Sequence, residues 1–241
     1  MARFLGTADL DLLEAIFEGL PDCPFFVKDS GLRYIAANPA MLRLIRRRSL
    51  GDIIGLRASD LFPDHLAARY EALDRQLLAT GQPIHDRLEQ TVDGIWLLFA
   101  RIPVRDRNGA CVGLIATAQR MRAGDPAHIV YQRLAQSAEM LEDRFDQPLA
   151  LRHLAELARI SPSQLERDFQ RSFGMTPSTF LHKRRIEHAI GLLARGLSIT
   201  EIAHRCGYAD HSAFTRRFRS VTGLAPTAYR TAMNDKRVKS G

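Results

Sequence analysis

Arg167 and Arg216 stand at matching places in two similar stretches of the chain, Leu151 to Phe180 and Ile199 to Tyr229. A guanidinium on an exposed helix face presents a planar fork of donors, which suits a pair of acceptors such as guanine O6 and N7, or phosphate oxygens. Ser163 and Glu166 are expected on the same free face as Arg167, and His211, Ser212 and Ala213 beside Arg216. Side chains in such places can read base edges, whereas Lys183, Arg184, Arg185, Arg217 and Arg219 suit phosphates or plain solvation. Glu166 would either accept from a cytosine amino group or orient Arg167. No cysteine stands in an activating context and no histidine–carboxylate constellation is evident, so enzymatic activity, including DNA-alkyl repair, is not expected.

The elements that must hold these residues are written twice. Leu154 pairs with Ile202, Ala155 with Ala203 and Ala158 with Cys206; after one extra residue in the second turn, Leu165 pairs with Phe214, Phe169 with Phe218, Gly174 with Gly223 and Pro177 with Pro226. Each copy reads as a helix, a turn and a second helix. Ser161, with Pro162 after it, and Asp210 are expected N-caps of the second helices, and Ser198 that of the first helix in the second copy. Gln164 and Glu201 stand where a capping box would need them. Gly174 and Gly223 are expected to end their helices in the left-handed region, and Ser178 to Arg195 reads as one connecting helix ended by Gly196.

The segment from about Ala127 to Arg230 closely resembles the DNA-binding domain of AraC/XylS-family bacterial transcription regulators. The residues that carry the resemblance are LRHLAELARISPSQLERDFQRSFGMTPSTFL and ITEIAHRCGYADHSAFTRRFRSVTGLAPTAYR. Ala150 and Ala225 depart from it, standing where members often have a Ser or Thr cap. The resemblance implies promoter double-stranded DNA as partner, with RNA polymerase and a second copy of the chain as further candidates. Charge agrees: residues 125–241 hold 18 Lys and Arg against 12 Asp and Glu, while residues 1–124 hold 16 against 15. A protein-binding α-domain is the competing reading of the same helices.

The first half has another pattern. PFFVKDSGLRYIAANPAM reads as two strands around a D-S-G turn followed by a helix start at Asn38-Pro39, and HLAARYEALDRQLLATG as a helix with Leu66, Tyr70, Leu73 and Leu77 on one face. Three strands follow, near 84–91, 95–104 and 110–119. This order, with KDSGLRYIAANPA and PVRDRNGACVGLIATA, resembles a PAS domain. The fold class expected is therefore an α+β PAS-like domain, a five-stranded antiparallel sheet with flanking helices, followed by an all-α tandem helix-turn-helix domain. The expected boundaries are 8–121 for the first, 122–128 for a linker, 129–232 for the second and 233–241 for a basic tail. A ligand space in the PAS-like core would be walled by Phe26, Ile35, Leu42, Leu61, Phe62, Leu66, Tyr70, Leu73, Trp96, Leu98 and Ile115, all of which also suit plain core. No cofactor is expected, although an unidentified small-molecule effector is a candidate; the alternative is a filled core that serves dimerisation or protein docking. His65 and His85 are the only haem-type candidates there, and the Asn-Cys-Arg motif of a flavin photosensor is absent.

Three widely spaced cysteines, Cys23, Cys111 and Cys206, form neither a disulfide framework nor a zinc pattern and suit a reducing compartment. The longest apolar stretch, GIWLLFA, is too short to span a bilayer, and the N-terminus lacks a basic-then-apolar signal, so the bacterial cytoplasm is expected.

Overall fold

The computed structural model describes residues 12–238, apart from 14, 18, 21, 123, 124, 126 and 127 and the side chains of 65 and 235–238. Residues 8–11 of the expected first domain, residues 123, 124, 126 and 127 of the expected linker, the His65 side chain and residues 239–241 lie outside the described residues. The chain divides into two compact units, Met1–Tyr131 and Gln132–Gly241.

In the first unit, FFVKD and YIAA form β1 (Phe25–Asp29) and β2 (Tyr34–Ala37), paired antiparallel. The turn between them puts its left-handed residue at Leu32, φ 63°, whose N–H donates to Asp29 O at 3.0 Å. Asn38 starts α1 (Pro39–Leu44) as expected. Its Oδ1 accepts from Met41 N–H and from Phe25 N–H, both at 3.0 Å, so one buried amide caps the helix and anchors the strand. Then come α2 (Ala58–Leu61), α3 (Asp64–Thr80, ended by Gly81 at φ 62°), β3 (Ile84–Gln90), β4 (Trp96–Arg105) and β5 (Cys111–Arg120). The sheet has five strands in the order β2-β1-β5-β4-β3, every pairing antiparallel.

The second unit is helical. Helix α4 (Ile129–Asp143) begins at the boundary expected for the second domain, its first three residues falling in the first unit. It is followed by α5 (Leu151–Ala158), α6 (Pro162–Phe173), α7 (Pro177–Leu193), α8 (Ile199–Arg205), α9 (His211–Thr222) and α10 (Pro226–Val238). Residues 233–238, expected in a basic tail, therefore continue a helix. The cores repeat as the sequence does: Leu165 and Phe169 are fully buried in one copy, Phe214 and Phe218 in the other.

The space between sheet and helices in the first unit is nearly filled. Phe26, Tyr34, Met41, Leu77, Leu97 and Phe99 belong to one buried cluster, and the cavity left beside it is about 30 Å³, room for about two water molecules. Of the residues expected to wall it, Phe26, Phe62 and Tyr70 do so; Leu42 and Leu61 pack on the same cluster, Leu66 is buried and Leu73 half-buried. The others need correction. Ile35 and Ile115 pack with Phe25, Val27 and Ala36 in a separate cluster, and Trp96 and Leu98 are buried without lining the cavity. Where both faces of a strand are covered, apolar character does not say which face a residue takes, and here the alternation sends Leu97, Phe99, Leu114 and Ala116 to the cavity side.

That side also carries charge. The buried face of α3 bears Glu71 and Asp74 beside Leu66, Ala67 and Leu77, not the all-apolar stripe its spacing suggested. Lys28 Nζ donates to Asp74 Oδ2 at 2.6 Å, and Arg101 donates through Nε to Asp74 Oδ1 at 2.8 Å and through Nη2 to Glu89 Oε2 at 2.8 Å. No side chain of the four is more than 2% exposed. Such burial is tolerated because two cations meet two carboxylates at hydrogen-bond distance. Burial works against a charged Asp74, but the Lys28 and Arg101 charges outweigh it and hold the carboxyl below its ordinary range. Asp74→Ala should therefore cost about 3–5 kcal/mol in urea unfolding followed by the single tryptophan, Trp96, while Lys28→Met with Asp74→Leu should cost less, because no buried cation is orphaned. A carboxyl lowered by folding contributes stability that is fully present above the ordinary carboxylate range and lost as pH falls below that range through the lowered folded pKa, so acidification should lower the wild-type midpoint more than that of the double variant.

Candidate nucleic-acid interface

Each second helix of the repeat is fixed at both ends by local groups. In α6, Ser161 Oγ accepts from Gln164 N–H at 3.2 Å, Pro162 fills the first position and Gly174 closes the helix at φ 72°. With Leu165, Phe169 and Phe173 turned into the core, Ser163, Glu166 and Arg167 are left exposed. The expected capping box does not use the Gln164 side chain. Its Nε2 donates to the buried Asp168 Oδ2 at 2.8 Å and its Oε1 accepts from Arg167 Nη2 at 2.5 Å. Gln164, rather than Glu166, orients Arg167.

Helix α9 is built alike with one difference. Asp210 Oδ1 accepts from Ala213 N–H at 2.7 Å, and Gly223 ends the helix at φ 79°. Phe214 and Phe218 are buried, His211, Ser212, Arg216 and Arg217 are exposed, and Ala213 is half-buried. Ala213 stands where α6 has Gln164, and Arg217 where it has Asp168, so nothing tethers Arg216 as Arg167 is tethered. Among the described residues neither Arg216 nor Arg217 is in an ion pair. Ser198 Oγ caps α8 through Glu201 N–H at 3.1 Å, while Glu201 Oε1 accepts from Arg205 Nη2 at 2.8 Å instead of closing a capping box. Ala150 caps nothing through its side chain.

The basic run on α7 is not the uniform phosphate surface that sequence suggested. Arg184 pairs with Glu142 of α4 and, at 2.8 Å, with Glu187. Arg185 is 6% exposed and donates to two backbone carbonyls, Phe145 O at 2.6 Å through Nε and Gln147 O at 2.7 Å through Nη2. Both arginines hold the unit together internally. Lys183 is half-buried and Arg219 exposed. His182, whose Nδ1 lies 3.3 Å from Tyr208 Oη, is held below its ordinary pKa by burial and then by the charges of Arg217 and Arg185. Sequence reasoning missed Gln164 as the partner of Arg167 and Asp168 as the partner of Gln164, although their i, i+3 and i, i+4 spacing was the available signal.

Residues 154–232 match the family model of a helix-turn-helix domain, and residues 17–123 that of the PAS fold. Over 93 residues the chain is 33% identical to the uncharacterized HTH-type transcriptional regulator YijO of Escherichia coli (strain K12), a match covering 38% of this chain and 33% of that protein. It is also 33% identical over 122 residues to the uncharacterized HTH-type transcriptional regulator YfiF of Bacillus subtilis (strain 168), covering 50% of this chain and 38% of the relative. Among solved structures, the C-terminal domain of AraT, a response regulator from Geobacillus stearothermophilus, is 31% identical and covers 46% of this chain and 88% of that one, with a TM-score of 0.40. The chain thus spans between a third and two fifths of the length of these curated relatives. Among the described residues no helix is long and apolar enough to cross a membrane. Residues 154–232 form a helix-turn-helix domain of the AraC type, and the chain joins it to a PAS fold at residues 17–123.

Proposed function

We propose that the chain is a sequence-specific DNA-binding regulator of transcription in the bacterial cytoplasm, in which α6 and α9 enter successive major-groove segments of a promoter. The observation that carries this is the repeated arrangement of a capped helix with phenylalanine toward the core and an arginine on the free face, in the half of the chain that holds most of the positive excess. Arg216 and Arg167 are the base readers, with Ser163, Glu166, His211, Ser212 and Ala213 lining the same faces. Arg217 and Lys183 serve phosphates. Arg184 and Arg185 are left out because their donors are engaged internally. RNA polymerase is the further partner that such a role implies.

For the PAS-like domain, which we place at residues 8–121, the cavity of about 30 Å³ favours a fold that works through its surface, as a dimerisation or protein-docking module, over one that encloses a metabolite. Drug-sized ligands occupy pockets of about 300–1,000 Å³. Native mass spectrometry of the full chain tests this: a dimer or monomer without adduct is expected, and a retained small molecule would overturn it.

Two measurements test the DNA reading itself. In fluorescence-anisotropy titrations of the full chain, affinity for duplex DNA should fall steeply with salt, with a log–log slope near −0.9 for each phosphate neutralised; a flat response removes the basis of the proposal. On a duplex recovered from a random pool by the wild-type chain, Arg216→Ala should lose about 1–3 kcal/mol of binding and much less on random DNA. Equal losses on both would make Arg216 a phosphate contact.

A further inference from the structure

The two turns of the repeat differ in what lies behind them. In the first, the left-handed position after α5 is Arg159, exposed at φ 54°; in the second it is Gly207, at φ 73°. Left-handed geometry alone therefore does not demand glycine in this turn. Space does: a Cβ at 207 would sit 2.2 Å from Asp146 O and 2.7 Å from Asp146 Cα. The backbone just past the end of α4 thus lies directly against the turn that leads into α9.

That same backbone is gripped from α7. Arg185 donates to Phe145 O and Gln147 O, carbonyls left beyond the C-terminal end of α4, and its guanidinium carbon lies 5.3 Å from the centroid of the Tyr208 ring. Tyr208 follows Gly207, is 6% exposed, stacks on His182 at 5.9 Å and meets Phe214 of α9 edge-on at 5.4 Å. Its counterpart in the first turn is Ile160, with the same backbone bond: Ile160 N–H donates to Ala155 O and Tyr208 N–H to Ala203 O, both at 3.0 Å. In the first turn α4 reaches across through Arg133, whose Nη1 donates to Ala158 O at 3.3 Å.

The geometry points to Arg185, Tyr208 and Gly207 as positioning residues that clamp the second reading helix, α9, to the segment Phe145–Gln147, without touching DNA themselves. This rests on the reading of α9 as a DNA-reading helix. A lysine cannot replace Arg185, since one ammonium does not span two carbonyls and stack on a ring in the way a planar fork does.

The test uses the full chain and a duplex recovered from a random pool by the wild type, its halves assigned to α6 and α9 by Arg167→Ala and Arg216→Ala. Arg185→Met should weaken binding by roughly tenfold, on the scale of one lost base-reading contact, but should bind a duplex scrambled in the α9 half as well as wild type does. Arg185→Lys should not rescue it. Gly207→Ala should behave in the same way if it folds. Independently of DNA, amide exchange in the free chain should quicken at residues 207–213 in Arg185→Met while that of α6 is unchanged. An equal loss on parent and scrambled duplexes, or unchanged exchange at 207–213, overturns the proposal; failure of the chain to select any duplex would strike the DNA reading and leave the exchange measurement to decide the clamp.

Discussion

A helix can offer one face to a core and the opposite face to a partner only if its start, its end and its rotation are set by groups that do not themselves face the partner. Both α6 and α9 meet that condition with few residues. A side-chain oxygen at the cap takes a free N–H, a glycine in the left-handed region stops the helix, and two aromatic or aliphatic side chains four residues apart fix the rotation. The guanidinium groups of Arg167 and Arg216 then have nowhere to point but outward. Buried phenylalanines link each copy inward as well: Phe169 meets Phe180 at 5.5 Å and Phe218 meets Tyr229 at 5.4 Å, both edge-on, which ties each reading helix to the helix that follows it.

The copies share a plan but not a level of constraint. Arg167 is bound through Gln164 to a buried aspartate, so its guanidinium must exchange a partner to meet a base; among the described residues Arg216 carries no such tether. The second copy is instead constrained from behind, at its turn. One unit is therefore ordered at its reading face and the other at its support. A comparable division holds in the first unit, where the Lys28–Asp74–Arg101–Glu89 network joins β1, α3, β4 and β3 by directional bonds while the apolar cluster around it supplies burial.

What could be read from the chain beforehand is whatever is local. The caps at Ser161, Ser198 and Asp210, the stops at Gly81, Gly174 and Gly223, the five strands in chain order and the register of the repeat all depend on residues near each other in the chain or on a pattern that recurs. The roles of Arg184 and Arg185 were hidden for the opposite reason. Their partners lie about forty positions upstream, and a buried arginine looks the same in sequence as a solvated one. Ile35, Leu98 and Ile115 suit the cavity by their apolar character yet lie away from it, because their strands are apolar on both faces. Lys28, Asp74 and Arg101 were overlooked because a search for apolar spacing passes over charges, even charges at core positions, when each needs its counter-charge on another element.

The seventeen residues of α7, Pro177–Leu193, join the two units of the repeat as one unbroken helix. Each residue of such a helix advances about 1.5 Å and turns by about 100°. Adding or removing a single residue there would therefore swing one reading face around relative to the other far more than it would change their separation. Lengthening the DNA between two half-sites by one base pair turns it by roughly a third of that angle, taking about 10–10.5 base pairs per turn. No whole number of added base pairs restores both angle and distance. In the proposed complex the phase between the two halves of the DNA site is thus set by the residue count of α7.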